Sequence, residues 1–99
     1  MRGVQTDPEG VELTVFDRLF PLAGKRLLEI GCGDGRLTAS LAERARSVVA
    51  LDPNRRAVGE ARRTLPRRLR KRVRFEVGRA ESLPYADGAF DAVLFSWSL

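Results

Sequence analysis

The segment Glu29-Ile30-Gly31-Cys32-Gly33-Asp34-Gly35 concentrates residue types that let a backbone come close to a bound molecule. Gly31 and Gly33 can take positive φ and carry no side chain to block a ligand, while Gly35 allows tight contact where a helix begins. A helix N-terminus behind such a turn presents free N–H groups and the positive end of the helix dipole, which favour an anionic group. Asp52 stands 21 positions after Gly31, at the end of a second apolar run. A carboxylate there can accept hydrogen bonds from both hydroxyls of a ribose. Each feature also has a plainer explanation: a glycine turn without a ligand, and Asp52 as the cap of a helix starting near Asn54. Their combination favours a ligand. The spacing G-x-G-x-G differs from the dinucleotide fingerprint G-x-G-x-x-G, whose third glycine would fall where Arg36 stands, so a pyrophosphate site is not reproduced. The chemistry expected is recognition of a nucleoside with a smaller anionic end, such as a carboxylate.

These residues need strands and helices to hold them. Leu27, Leu28 and Ile30 form a short apolar run that stops at Gly31, the pattern of a buried parallel strand. From Arg36 onward, Leu37, Leu41, Ala42 and Ala45 give one helical stripe. Ser47 to Leu51 reads as a second strand ending at Asp52, and Asp52-Pro53-Asn54 carries turn and helix-start chemistry. Ala57, Ala61 and Leu65 mark a second helix, ended by Pro66. Val73, Phe75 and Val77 alternate with Arg74 and Glu76, which predicts a half-exposed strand near a sheet edge. Turn residues and one apolar pair, Leu83 and Tyr85, precede a fourth strand over Phe90 and Ala92 to Phe95. Ahead of all this, residues 1–10 read as a loose lead-in and Val11 to Phe20 as a short amphipathic helix, so that residues 1–23 precede the first strand. Strands alternating with helices predict an α/β fold with a parallel sheet flanked by helices.

Composition narrows the function classes. Ninety-nine residues suit one domain, and 43% hydrophobic with 31% charged residues describes a globular chain. One cysteine and no histidine exclude an internal disulfide framework and argue against a structural zinc site. Cys32 as a nucleophile would have no histidine to activate it, so it reads as a small residue in a crowded turn. Asp7, Glu9, Glu12 and Asp17 break any signal-peptide pattern, and no apolar run approaches the roughly 20 residues of a membrane span. A cytoplasmic location is therefore expected.

The formal charge of +5 comes from 18 basic against 13 acidic residues, with arginine outnumbering lysine sixteen to two. A nucleic-acid surface explains basic residues, whereas genome-wide codon bias explains the preference for arginine. An RNA-binding module would use Arg55, Arg56, Arg62, Arg63, Arg67, Arg68, Arg70, Lys71, Arg72 and Arg74. No aromatic residue interleaves with them to stack bases, which favours a solvated surface.

The stretches LLEIGCGDGRLTASLA, VVALDPN and FEVGRAESLPYADGAFDAVLFS resemble the successive motifs of class I S-adenosylmethionine-dependent methyltransferases, closest to the small-molecule branch called type 11 or ubiquinone-biosynthesis-like. The resemblance covers about residues 24 to 99. It implies a Rossmann-like parallel sheet and S-adenosyl-L-methionine as cofactor and says little of the methyl acceptor, which is expected to be a small molecule; the arginine-rich surface adds a methyltransferase acting on RNA as the alternative. Carried over residue by residue, it implies that Glu29 helps hold the cofactor's amino acid end, with Gly31, Cys32 and Gly33 passing beneath it. Asp52 would bind the ribose, Pro53 would lie against the adenine, Ala80 would offer backbone to the ring edge and Ser96 would line the pocket. Arg79 departs from the pattern: members commonly have an Asp there that accepts from the adenine amino group, and Arg has no acceptor. Glu81 reads as a solvated loop carboxylate sooner than a general base, and Trp97 is open between stacking on substrate and packing.

Such proteins continue with three further strands, so these 99 residues read as the first four strands of a seven-stranded fold, the cofactor-binding part of a truncated, fragmentary or split protein. On that reading the fourth strand is an exposed apolar edge, with Val93 and Phe95 available for self-association.

Overall fold

The computed structural model describes residues 2–5, 21–79 and 88–95. Its elements are β1 (Arg2–Gln5), β2 (Arg26–Ile30), α1 (Arg36–Arg44), β3 (Ser47–Asp52), α2 (Arg55–Thr64), a 3-10 segment (Arg67–Arg72), β4 (Val73–Val77) and β5 (Ala92–Phe95). The strands form one five-stranded sheet in the order β1-β5-β2-β3-β4, every pair parallel. The Rossmann-like α/β expectation holds.

Side chains alternate across the strands, as the two-residue period requires. On one face, Leu27, Val48, Ala50, Phe75, Ala92 and Leu94 pack with Leu37, Leu41 and Ala42 of α1 and with Val58 and Ala61 of α2. On the other, Leu28, Ile30, Leu51 and Val93 pack with Phe90. Burial of each large apolar side chain contributes about 1.5–3 kcal/mol, so both faces hold the sheet. The stripe expected of the second helix holds at Ala61 and Leu65 and differs at its first member, where Val58 takes the place of Ala57. Val58, Ala61 and Leu65 are buried and Ala57 only half-buried, because the larger valine is the better filler against the sheet.

The helix boundaries have local causes. Asn54 caps α2, its side-chain oxygen accepting from the Arg56 and Ala57 N–H groups at 3.0 and 3.1 Å. The α1 stop at Ala45 uses the Ala45 N–H to Leu41 carbonyl bond of 2.8 Å. Beyond β4, Asp91 closes the connection to β5 by accepting the Arg26 N–H at 2.8 Å and the Arg26 guanidinium at 3.3 Å. The side-chain bond from Arg26, with the backbone bond behind it, holds the Asp91 carboxyl below the usual carboxylate range.

Two expectations are corrected. Residues 2–5 are a strand and not a loose lead-in, and they pair in parallel with β5, Arg2 opposite Ala92 and Gln5 opposite Phe95. The last strand is consequently interior and not an exposed edge: it lies between β1 and β2, and Val93 is 7% exposed. The physical reason is the free ladder edge of β5, whose N–H and C=O groups need partners wherever the chain can supply them. The helix expected over residues 11–20 lies outside the described residues. β4 is the other edge of the sheet, as its alternating pattern predicted.

Candidate functional site

Three strand ends come level at one rim. Ile30 faces Leu51 across β2 and β3, which sets Gly31 beside Asp52, and Asp52 faces Val77 across β3 and β4. Ligands of open parallel sheets bind outside the carboxyl ends of the strands, and the glycine turn leaves β2 there. Gly31 and Cys32 donate their N–H groups to the Leu51 carbonyl at 2.7 and 2.9 Å, fixing the start of the turn to β3.

All three turn glycines have positive φ: 85° at Gly31, 55° at Gly33 and 86° at Gly35. They owe this to different constraints. A Cβ on Gly33 would meet nothing within 4 Å, so its backbone conformation alone selects glycine. A Cβ on Gly35 would lie 2.9 Å from the Ala61 Cβ and 3.3 Å from its Cα, so this residue is also the point where α1 abuts α2. Asp34 accepts from the Arg36 N–H at 3.2 Å, supplying from the chain itself an anionic group for the first turn of α1.

Asp52 does more than end a strand. Its Oδ2 accepts from the Gly33 N–H at 2.9 Å and its Oδ1 from the Asn54 N–H at 2.8 Å, so one half-buried carboxylate ties the glycine turn to the start of α2. The cap of α2 is Asn54 and not Asp52, which excludes the plainer role weighed for the aspartate.

Glu29 and Thr38 are fully buried, the two polar side chains in the described core. Glu29 shares the helix-facing side of β2 with Leu27, and the Thr38 hydroxyl of α1 donates to its Oε1. A buried carboxylate without such partners would cost several kcal/mol, by about the amount that makes buried ions rare. Cys32 is also buried, at 5% exposure, and its thiol is pushed up from 9.0 to about 12 by desolvation, with the negative fields of Glu29, Asp52 and Asp34 adding to it. A thiol so disposed is a poor nucleophile at neutral pH.

The structure brings Glu29, Gly31, Cys32, Gly33 and Asp52 together at the rim. Pro53, next to Asp52, is exposed, as is Arg79, two residues beyond Val77. Ala80 and Ser96 lie outside the described residues, with Glu81 and Trp97. Thr38 was missed from sequence, although its signal was present: it is a polar residue on the buried stripe, three and four residues before Leu41 and Ala42. Among the described residues no group of histidine, cysteine, aspartate and glutamate could hold a metal ion.

A parallel sheet with a glycine turn and an acidic strand end at one rim defines the class: a Rossmann-like fold with a nucleoside-type site at the carboxyl ends of its strands. Residues 27–99 match the methyltransferase domain family, and the chain belongs to that family. It is 40% identical over 79 residues to an uncharacterized methyltransferase of Mycobacterium tuberculosis, covering 80% of this chain and 30% of that protein. It is 37% identical over 84 residues to a demethylmenaquinone methyltransferase of Beutenbergia cavernae (85% and 33%), and 40% identical over 78 residues to a magnesium-protoporphyrin O-methyltransferase of Rhodobacter capsulatus (79% and 34%). The chain thus spans about a third of the length of these curated relatives. Among solved structures, the YcgJ protein of Bacillus subtilis superposes with a TM-score of 0.75 at 26% identity, over 84% of this chain and 36% of that one. A Haemonchus contortus phosphoethanolamine N-methyltransferase bound to S-adenosylhomocysteine superposes with a TM-score of 0.70 at 27% identity, over 85% and 18%.

Proposed function

We propose that the rim formed by Glu29, the Gly31–Gly33 turn and Asp52 binds S-adenosylmethionine, and that the protein transfers its methyl group to a small-molecule acceptor. The observation that carries this is the Asp52 carboxylate, fixed at 2.9 Å from the Gly33 N–H and 2.8 Å from the Asn54 N–H. Each oxygen uses one lone pair on the backbone and retains another, which suits two adjacent ribose hydroxyls. Gly33 brings unobstructed backbone alongside. Glu29, buried behind the turn, supplies negative charge for the ammonium of the cofactor's amino acid end, while Pro53 offers a flat apolar surface to the adenine. Arg79 has no acceptor for the adenine amino group, so ring recognition on this reading rests on the surface beside Pro53 and on backbone, and Ala80 and Ser96 are proposed as further cofactor-binding residues.

When bound, the cofactor supplies an electrophilic methyl group on a sulfonium. The residues described here hold and orient it, and no general base is assigned among them, since transfer to an acceptor held in line depends chiefly on positioning. A small-molecule acceptor is supported by relatives named for demethylmenaquinone and magnesium-protoporphyrin. No helix among the described residues is long and apolar enough to cross a membrane. A cytoplasmic site of action accompanies this reading, and cell fractionation checks it.

Isothermal titration calorimetry with S-adenosylmethionine and S-adenosylhomocysteine tests the proposal. Asp52→Ala is expected to weaken binding by about 1–3 kcal/mol, the range for leaving polar groups without their partner. Unchanged affinity would remove the ribose assignment.

A further inference from the structure

The buried pair of Glu29 and Thr38 invites a question that the cofactor site alone does not answer. Thr38 sits within α1 among its buried residues, with the apolar Leu37, Leu41 and Ala42, and it is fully buried. Threonine is a modest helix former, and valine has the same shape without a hydroxyl to satisfy. Were packing the whole role of this position, the hydroxyl would be a liability, since a buried hydroxyl needs a hydrogen-bond partner. A helical threonine also has a local outlet, the carbonyl one turn back. Here the hydroxyl is given instead to Glu29 Oε1, across the helix–sheet interface and nine residues away in sequence.

We infer that Thr38 is a positioning residue: its hydroxyl fixes the Glu29 carboxylate in the rotamer that receives the ammonium of the cofactor's amino acid end. This rests on the cofactor reading above and extends it to a residue that does not itself touch the ligand. A carboxylate held by a partner loses no further rotamer freedom when a ligand arrives. Thr38 lies on α1, the helix that the glycine turn begins, so the same short segment places both the backbone beneath the ligand and the group that holds Glu29.

The test separates the amino acid end from the nucleoside. Binding of S-adenosylhomocysteine and of 5′-methylthioadenosine, which lacks the ammonium and carboxylate, is measured by calorimetry on the full chain and on Thr38→Val, Thr38→Ala and Thr38→Ser, with circular dichroism melts on each. Thr38→Val is expected to lower affinity for S-adenosylhomocysteine about tenfold or more, the scale of a hydrogen bond to a charged group, and to leave 5′-methylthioadenosine unchanged. Thr38→Ser, which keeps the hydroxyl, should restore the parent profile. Should Thr38→Val fail to fold, the comparison of Thr38→Ala with Thr38→Ser carries the same readout. Equal losses for both ligands, or none for either, would overturn the role of Thr38 while leaving the cofactor site standing. A parent chain that binds neither ligand would remove the cofactor reading, and this assignment with it.

Discussion

The turn between β2 and α1 and the arginine-rich stretch from α2 to β4 use charge in opposite ways. At the turn the acidic groups are few and fixed: Glu29 is buried against Thr38, and Asp52 holds two backbone N–H groups at 2.8 and 2.9 Å. Between Arg62 and Arg74 stand eight basic residues, and their ion pairs reach Glu60, Glu43 and Glu76 from side chains that stay 64–74% exposed. Pairs so exposed contribute little, with a median of about 0–1 kcal/mol. The apolar anchors in that stretch are Leu65, Leu69 and Phe75, and the guanidinium of Arg62 covers the edge of β4 by donating to the Phe75 carbonyl at 2.8 Å. Charge density therefore does not locate the candidate site in this molecule. Charge held by burial and by backbone does, because only there does the geometry persist when a ligand arrives.

The sharpest way to break this contrast is at Gly35. Gly35→Val places a branched side chain against the Cα and Cβ of Ala61 at a φ of 86°, and the expected loss is about 2–5 kcal/mol, summing left-handed strain and overpacking. Urea denaturation measures it; a loss under about 1 kcal/mol would mean that α1 and α2 shift apart freely.

Next in size is the reactivity of Cys32. With its thiol moved from 9.0 to about 12, native-state alkylation by iodoacetamide at pH 8 should run on the order of tens of times slower than in the urea-unfolded chain, the loss of thiolate being partly offset by the greater nucleophilicity of a less acidic thiol. The linked stability has a definite sign. Below pH 9 the thiol is protonated in both states; above it the unfolded chain ionises first, so stability falls as pH rises from 9 toward 12. Native labelling as fast as unfolded labelling would contradict the burial of the turn.

Asn54→Ala should cost about 0.5–2 kcal/mol, since two N–H groups at the start of α2 lose their acceptor. Thermal melts should also show that Asn54→Asp restores most of this, as the carboxylate accepts the same bonds beside the helix dipole.

The smallest effect belongs to the other region. Arg67→Ala with Arg70→Ala, at two exposed positions of the 3-10 segment, should change stability by less than about 0.5 kcal/mol. A larger loss in the same melts would show that the basic stretch takes part in holding the fold.

The sequence made the strand and helix order readable because each element there is announced locally. The run through Ile30 ends in glycine, Asp52-Pro53-Asn54 ends one strand and starts a helix, and Pro66 stops α2. The glycine turn and Asp52 were legible for the same reason, since positive φ and a strand-end carboxylate leave a mark in residue type. The pairing of Arg2–Gln5 with Ala92–Phe95 left no such mark: four residues containing a glycine carry no period, and their partners lie ninety positions away. The same holds for Thr38, whose hydroxyl is explained only by Glu29 on a neighbouring strand, and for Arg62, which reads as a solvated helix residue until β4 brings the Phe75 carbonyl to it. From Arg26 onward, sequence alone thus determined which segments are strands, where α1 and α2 lie and where backbone must bend, because those choices are made among residues a few positions apart. Only the tertiary structure decided which edges pair and which buried polar groups meet, because those choices are made by unsatisfied hydrogen-bonding groups finding each other across the fold.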